Sequence, residues 1–351
     1  MDVNPSPSNT PSPRISVIVT AHDRLSYLSE ALGSLAQQDA SPSDFEILLI
    51  SNMEEGTVRP VVRSPRVRVL TENSASLGQK IATALRYARA PLITFLEDDD
   101  AFHPHKLSAL IEEYDRHPEL GYLHNHYSLM DAQGHPLPPS AFRARADRLL
   151  RARGGIRIDS HTRWDQVQHL AGVYPEFNNS CISVRRELLA PYAHLLPLAD
   201  LATDQFLWLV ALRSPWCLSL DERRLTTVRL HGANASQISE ASRSMVPQGL
   251  LEVSQRNVQA LDAVGETLKE GQPSEYRQIV DSVLAVEKAL LDLRGAEIRR
   301  ARYREDFGQL MRLRSSYVVK TRRPLLLATG TASLSPAVAL SFYRTMGGRI
   351  S

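Results

Sequence analysis

Apolar and polar positions alternate in two different rhythms through residues 14–100. Arg14-Ile15-Ser16-Val17-Ile18-Val19-Thr20 is β-branched and apolar between a proline and a polar cluster, which predicts a strand buried on both faces. Leu25, Leu28, Ala31, Leu32 and Leu35 then form one stripe of a helix that Gln37-Gln38-Asp39 and Pro42 bring to an end. A second strand, Phe45 to Ile50, breaks at Ser51-Asn52, and Val67 to Leu70 predicts a short third. Ile81, Ala84, Leu85 and Ala88 mark the next helix, after which Leu92-Ile93-Thr94-Phe95-Leu96 runs straight into Glu97-Asp98-Asp99-Asp100. Strands alternating with helices of this length imply a mostly parallel sheet covered on both faces, since parallel neighbours need crossover connections. Ligands of such sheets lie beyond the carboxyl ends of the strands. Here those ends are Thr20-Ala21-His22-Asp23, Ser51-Asn52 and the acidic run.

The rhythm changes from residue 101. Leu107, Leu110, Ile111 and Tyr114 predict a helix, and Tyr122 to Met130 a strand closed by the turn Asp131-Ala132-Gln133-Gly134, with pairing that becomes antiparallel. Residues 136–163, rich in Pro, Arg and Gly, read as a loop or short helix over the site; Cys181 to Val184 is another short strand, and Gln205 to Leu212 a buried helix. Beyond residue 237 the chain reads as helical, with Ile279, Val283, Val286, Leu290 and Leu293 in a heptad-like seam too short for a coiled coil and better suited to packing on the core. Pro324 to Tyr343 is uncharged and modestly apolar, and its Thr, Ser, Gly and Pro336 leave it short of a transmembrane span. Following on Lys320, Arg322 and Arg323, it suits either interfacial attachment to a membrane or a packed C-terminal helix.

Composition changes this picture little. A chain of 351 residues, 43% hydrophobic and 23% charged, suits one principal globular domain with a helical extension. The net charge of +2 conceals an asymmetry: residues 294–323 carry ten Lys and Arg against three acids. Such a patch suits a solvated helix face or an anionic membrane, whereas nucleic acid is disfavoured because the stretch carries no recognised motif. Cys181 and Cys217 form no CxxC spacing and imply two buried thiols in a reducing compartment. The N-terminal MDVNPSPSNTPSP lacks the apolar core of a secretory signal, so a cytoplasmic chain is expected, and the sequons Asn178-Asn179-Ser180 and Asn234-Ala235-Ser236 read as accidental.

The chemistry concentrates in Glu97-Asp98-Asp99-Asp100. Four successive carboxylates where an apolar strand ends repel one another unless a cation compensates, and a divalent metal is the natural answer. Here the chain resembles a known family. "ISVIVTAHDR", "FEILLIS", "SLGQKIATALRYARAPLITFLEDDDAFHPHKL", "SCISVRRELL", "ATDQFLWL" and "VRLHGANAS" follow the order and spacing of family-2 glycosyltransferases over residues 14–236. The resemblance implies a GT-A fold: a Rossmann-like, mostly parallel central sheet flanked by helices, a small antiparallel acceptor-side sheet, and here a C-terminal helical extension. With the patterns above, the expected division is a flexible tail (1–13), a nucleotide-binding half (14–100), an acceptor half (101–236), a helical extension (237–323) and an apolar segment (324–351).

The same resemblance implies inverting transfer of a sugar from a nucleoside-diphosphate sugar, with a UDP-sugar favoured, to a hydroxyl of a glycan or lipid-linked acceptor. Asp99 and His231 would ligate Mn2+ or Mg2+; Asp98 and Glu97 would meet the donor; Asp204 would be the general base. Thr20, Ala21, His22, Asp23, Arg24 and Lys80 would surround the nucleotide. Ser51-Asn52 departs from the family's usual aspartates and leaves the base identity open. A catalytically degenerate binding module and a nucleotidyltransferase stand as alternatives, the latter disfavoured by the lack of a Gly-rich loop after Val19. Peripheral membrane contact through 294–343 and self-association are the further partners considered.

Overall fold

The computed structural model describes residues 12–23, 25–62, 64, 66–138, 141–231, 248–294 and 300–334. Arg24, residues 1–11 of the tail, the Asn234 sequon and the apolar segment beyond residue 334 lie outside the described residues.

The strands are β1 (Ile15–Ala21), β2 (Phe45–Ser51), β3 (Val67–Thr71), β4 (Leu92–Glu97), β5 (Ala101–Phe102), β6 (Leu120–Met130), β7 (Pro136–Leu137), β8 (Ile156–Ile158), β9 (Ile182–Arg185) and β10 (Cys217–Arg229). They form one sheet in the order β3-β2-β1-β4-β9-β6-β10-β5, with β7 added to β6 and β8 to β10. The first four are parallel, and their register sets Ala21 beside Ser51 and Thr20 beside Glu97. The polar strand ends therefore reach one lip of the sheet together. Alternation along each strand sends Ile18, Leu48, Ile50, Ile93 and Phe95 to one face, and Val17, Val19, Ile47, Leu49 and Leu96 to the other. Helices Leu28–Ala36 and Lys106–Arg116 cover the second face, while Leu77–Tyr87 and Thr203–Arg213 cover the first.

The expected antiparallel strands do not stand apart as a second sheet. β9 runs antiparallel between β4 and β6, which joins the two halves edge to edge, and β6 and β10 then pair in parallel. The stretch expected as a loop or short helix contains β7, the helix Ala141–Arg151 and β8, and this helix packs near β10. At Gly78 an added Cβ would overlap the Leu196 carbonyl, so only glycine lets the Leu77–Tyr87 helix approach that segment so closely.

The helices Gln248–Lys269 and Ser274–Arg294 do not float on the surface. Ala260, Leu261, Val264, Leu268, Tyr276, Ile279 and Val280 belong to the same apolar cluster as Phe206, Trp208 and Ile93. Past Ala285 the second helix joins Tyr303, Leu310, Leu325 and Ala328 in a smaller cluster of its own. The described part of the apolar C-terminal segment, helix Arg323–Leu334, thus buries Leu325 and Ala328 and leaves Leu327 62% exposed. No helix among the described residues is long and apolar enough to cross a membrane.

Candidate active site at the sheet's carboxyl lip

β4 ends at Glu97, and the chain turns back within three residues, the Asp100 N–H donating to the Glu97 carbonyl at 3.2 Å. β5 follows at once and pairs with Thr226 and Thr227 of β10. This turn splits the acidic run. Carboxylate oxygens of Glu97, Asp99 and Asp100 lie within 4.8 Å of one another, a spacing that suits a shared cation. Asp98 points toward β1 instead and accepts from the His22 N–H at 3.3 Å. His231, just past β10, brings Nε2 to 2.9 Å from Asp99 Oδ2, and its ring packs on Tyr27 with centroids 5.0 Å apart.

The electrostatics fit a cation. Asp98, Asp99 and Asp100 are all at most 5% exposed. Burial first, and the Asp99 charge second, push Asp100 up to about 7; burial with Asp100 and Asp99 raises Glu97 well above the ordinary carboxylate range. Three carboxylate oxygens at this spacing could hold a divalent cation, with the His231 imidazole beside Asp99.

Residues that the sequence did not single out hold the cluster in place. Arg229, 1% exposed, donates its backbone N–H to Asp100 Oδ1 and its Nε–H to the Asp99 carbonyl, both at 3.0 Å, while its outer nitrogen pairs with Glu30. Asn178 donates from Nδ2 to Asp100 Oδ2 at 2.9 Å, and Asn179 from Nδ2 to Glu97 Oε1 at 3.0 Å. Ser180 Oγ accepts from the Glu97 N–H at 2.9 Å. Asn178 has φ 65, a left-handed conformation that Asn tolerates better than most residues. The triplet read as an accidental sequon is therefore the cradle of the acidic run. Below it the Lys106 ammonium is fully buried, donates to the Ser180 carbonyl and Thr226 Oγ1 at 2.5 and 2.9 Å, and is drawn down to about 7 by burial.

On the nucleotide side, Lys80 reaches across from the Leu77–Tyr87 helix. Its Nζ donates to the Ala21 carbonyl at 2.9 Å and lies 2.8 Å from His22 Nδ1. Burial lowers Lys80 to about 8, and burial followed by the Lys80 charge lowers His22. Asp23, at φ 54, exchanges hydrogen bonds with Asn52, Nδ2 to Oδ1 at 2.6 Å and N to Oδ1 at 3.0 Å. Ser51 is fully buried and its Oγ accepts from the Met53 N–H at 3.0 Å. Thr20, Ala21, His22, Asp23, Ser51, Asn52 and Lys80 thus share one margin of the lip.

Asp204 opens the Thr203–Arg213 helix, on the far side of Glu97. Its carboxylate accepts from the Gln205 N–H at 2.8 Å and from the Asn178 N–H. Burial, and less strongly the charges of Glu176 and Glu287, raise it to about 7. A relay ties it to the cluster: Thr203 Oγ1 donates to Asn179 Oδ1 at 3.1 Å, and Asn179 donates to Glu97. Hydrogen bonds thus run from Asp204 through Asn178, Asp100 and Arg229 to Asp99 and His231, while Asp98 meets the end of β1 at the His22 N–H.

A parallel sheet with a cation-suited acidic turn at its carboxyl lip, continued through an antiparallel strand into a second half, is the GT-A architecture. The crystal structure of S. aureus TarS residues 1–349 in complex with UDP-GlcNAc shares it, with a TM-score of 0.54 at 16% identity over 95% of this chain and 90% of that one. Residues 16–174 match the family described as glycosyl transferase family 2. Over 102 residues the chain is 36% identical to the validoxylamine A glucosyltransferase of Streptomyces hygroscopicus subsp. limoneus, a stretch covering 27% of this chain and 22% of that one. Over 110 residues it is 28% identical to the poly(ribitol-phosphate) beta-N-acetylglucosaminyltransferase TarS of Staphylococcus aureus (strain Mu50 / ATCC 700699), covering 29% and 19%. These matches span about a fifth of the length of the two curated relatives.

Proposed function

We propose that the chain is an inverting glycosyltransferase that moves a sugar from a nucleoside-diphosphate sugar to an acceptor hydroxyl. The observation that carries this reading is the convergence of Glu97, Asp99 and Asp100 oxygens within 4.8 Å at the lip, with His231 on Asp99. Asp204 takes the acceptor's O–H proton while the acceptor oxygen bonds to the anomeric carbon. The bond from that carbon to the diphosphate oxygen breaks on the opposite face, and its electron pair leaves with the nucleotide. When bound, Mn2+ or Mg2+ on Asp99, His231 and their acidic neighbours neutralises the charge of that diphosphate.

Asp98 and Glu97 face the donor sugar and ribose, and Lys80, with His22 beside it, holds the nucleotide against β1. Asn52, tied to Asp23 where the family carries aspartates, reads the base edge with an amide. A UDP-sugar is the favoured donor, in keeping with the UDP-GlcNAc bound by S. aureus TarS. The acceptor is a glycan or lipid-linked hydroxyl. Exposed Arg302, Arg304, Arg312 and Arg314 with exposed Leu327 support peripheral contact with an anionic membrane from the cytoplasmic side; sedimentation with anionic but not zwitterionic vesicles checks this, and equal sedimentation with both refutes it.

A thermal-shift panel of UDP-, GDP- and dTDP-sugars with and without Mn2+ tests the core of the reading. A Mn2+-dependent rise with one nucleotide class is expected. No response to any donor in the presence of metal overturns it.

A further inference from the structure

Away from the acidic lip, β6, β7, β10 and the Ala141–Arg151 helix line a cavity of about 150 Å³ that glycosyl transfer does not use. Its polar wall consists of His126, Ser128, Asp147 and Arg224. Two irregularities build it. The register of β10 against β6 slips between Asp221 and Arg224 and again between Arg224 and Thr226, so Arg224 stands between two bulges. Bulges re-aim a side chain away from its regular alternation, and they recur beside binding sites.

The guanidinium so placed is only partly satisfied. Arg224 Nη2 pairs with Asp147, but its Nε is buried with no partner. Asp147, 8% exposed, is meanwhile shared among Arg224, His126 and, at 3.6 Å, Arg151. The one carboxylate of the wall is thus divided between Arg224 and its other partners, with Arg151 outside the lining, and does not take up the Arg224 guanidinium alone. A buried donor without an acceptor is costly, and the cost disappears if a ligand oxygen supplies the missing acceptor.

We propose that this cavity binds a small oxyanion, a phosphate or carboxylate group, which accepts from Arg224 Nε and Ser128 Oγ while Asp147 and His126 hold the guanidinium in place. Tyr127, which lines the site, packs on Phe177, centroids 4.9 Å apart, one residue before Asn178. It does not depend on the glycosyl-transfer reading.

Isothermal titration of the full chain with inorganic phosphate, glycerol 1-phosphate and glycerol tests it, in EDTA and at fixed ionic strength. Saturable binding of a phosphate species is expected, with Arg224→Gln weakening it about tenfold or more and Ser128→Ala about threefold. Inorganic phosphate binding as tightly as the ester supports a free anion as the ligand, and a tighter ester supports a group carried on a larger molecule. Asp99→Ala retains the binding; its loss there would place the anion at the acidic lip and overturn the proposal. Absence of saturable binding, equal binding of glycerol, or unchanged affinity in Ser128→Ala and in an Arg224→Gln protein that melts cooperatively also overturns it.

Discussion

The two halves of the sheet solve the same problem in opposite ways. In β1, β2 and β4 only Ser16, Glu46 and Thr94 interrupt the apolar runs, and the polar groups of the site wait for the carboxyl end, where Ala21 stands beside Ser51 and Thr20 beside Glu97. In β6, β9 and β10 the polar groups lie inside the elements: Asn125, Ser183, Thr226 and Arg229 are all at most 1% exposed. The first arrangement keeps packing and chemistry apart. The second merges them, so its residues support the site and the core together.

Four substitutions or truncations probe that contrast. Removal of residues after Gly271 takes Tyr276, Ile279, Val280 and Tyr317 out of the main apolar cluster and the Tyr317 hydroxyl from Trp208 Nε1, 2.6 Å away. The truncated chain is expected to lose cooperative melting altogether; an unchanged transition would show that the helices are an appendage after all. Next in size, Asp99→Ala on the parallel side is expected to cut donor turnover by about 10³-fold, with an intact fold by circular dichroism. Unaltered turnover removes Asp99 from the site.

Asp204→Asn is expected to lower transfer by about 10²- to 10⁴-fold while donor binding persists. The wild-type rate should climb as pH passes through about 7, where Asp204 gives up its proton. Stability moves the other way. The folded-state pKa lies above the ordinary 3.8, so the buried charge destabilises the native state fully above pH 7 and not at all below 3.8. Asp204→Asn should therefore melt several degrees higher than wild type at pH 8, with the gain shrinking as pH falls through 7. The smallest of the four effects is expected from Arg229→Met in the merged half, where loss of the Nε bond to the Asp99 carbonyl and of the pairing with Glu30 weakens Mn2+ by about 10- to 100-fold. A metal affinity equal to wild type, measured by titration, would leave Arg229 with packing alone.

The same contrast explains what the sequence discloses. Continuous apolar runs, broken by sharp polar ends, announce β1, β2 and β4 and with them Thr20, His22, Ser51 and the acidic turn. β10 escaped notice because Asp221, Glu222, Arg223 and Arg224 interrupt its alternation at the bulges, and no periodicity survives them. Arg229 was visible only as a neighbour of His231. Asn178-Asn179-Ser180 resembled a surface sequon because a short 3-10 turn leaves no pattern, and its value lies wholly in contacts across the sheet. Lys106 sits in a helix whose apolar stripe predicts its fold correctly, but nothing local says that its ammonium is buried.

Asn178 touches both sides of the proposed reaction at once, its amide side chain on Asp100 and its backbone N–H on Asp204. The segment it belongs to is anchored at Gly172, whose N–H donates to Thr321 Oγ1 at 3.0 Å. One short stretch of chain therefore joins that distant threonine to Asp204 and to Asp100 alike. Enzymologically, damage in the last helices would look like a fault in turnover, with donor recognition along β1 spared.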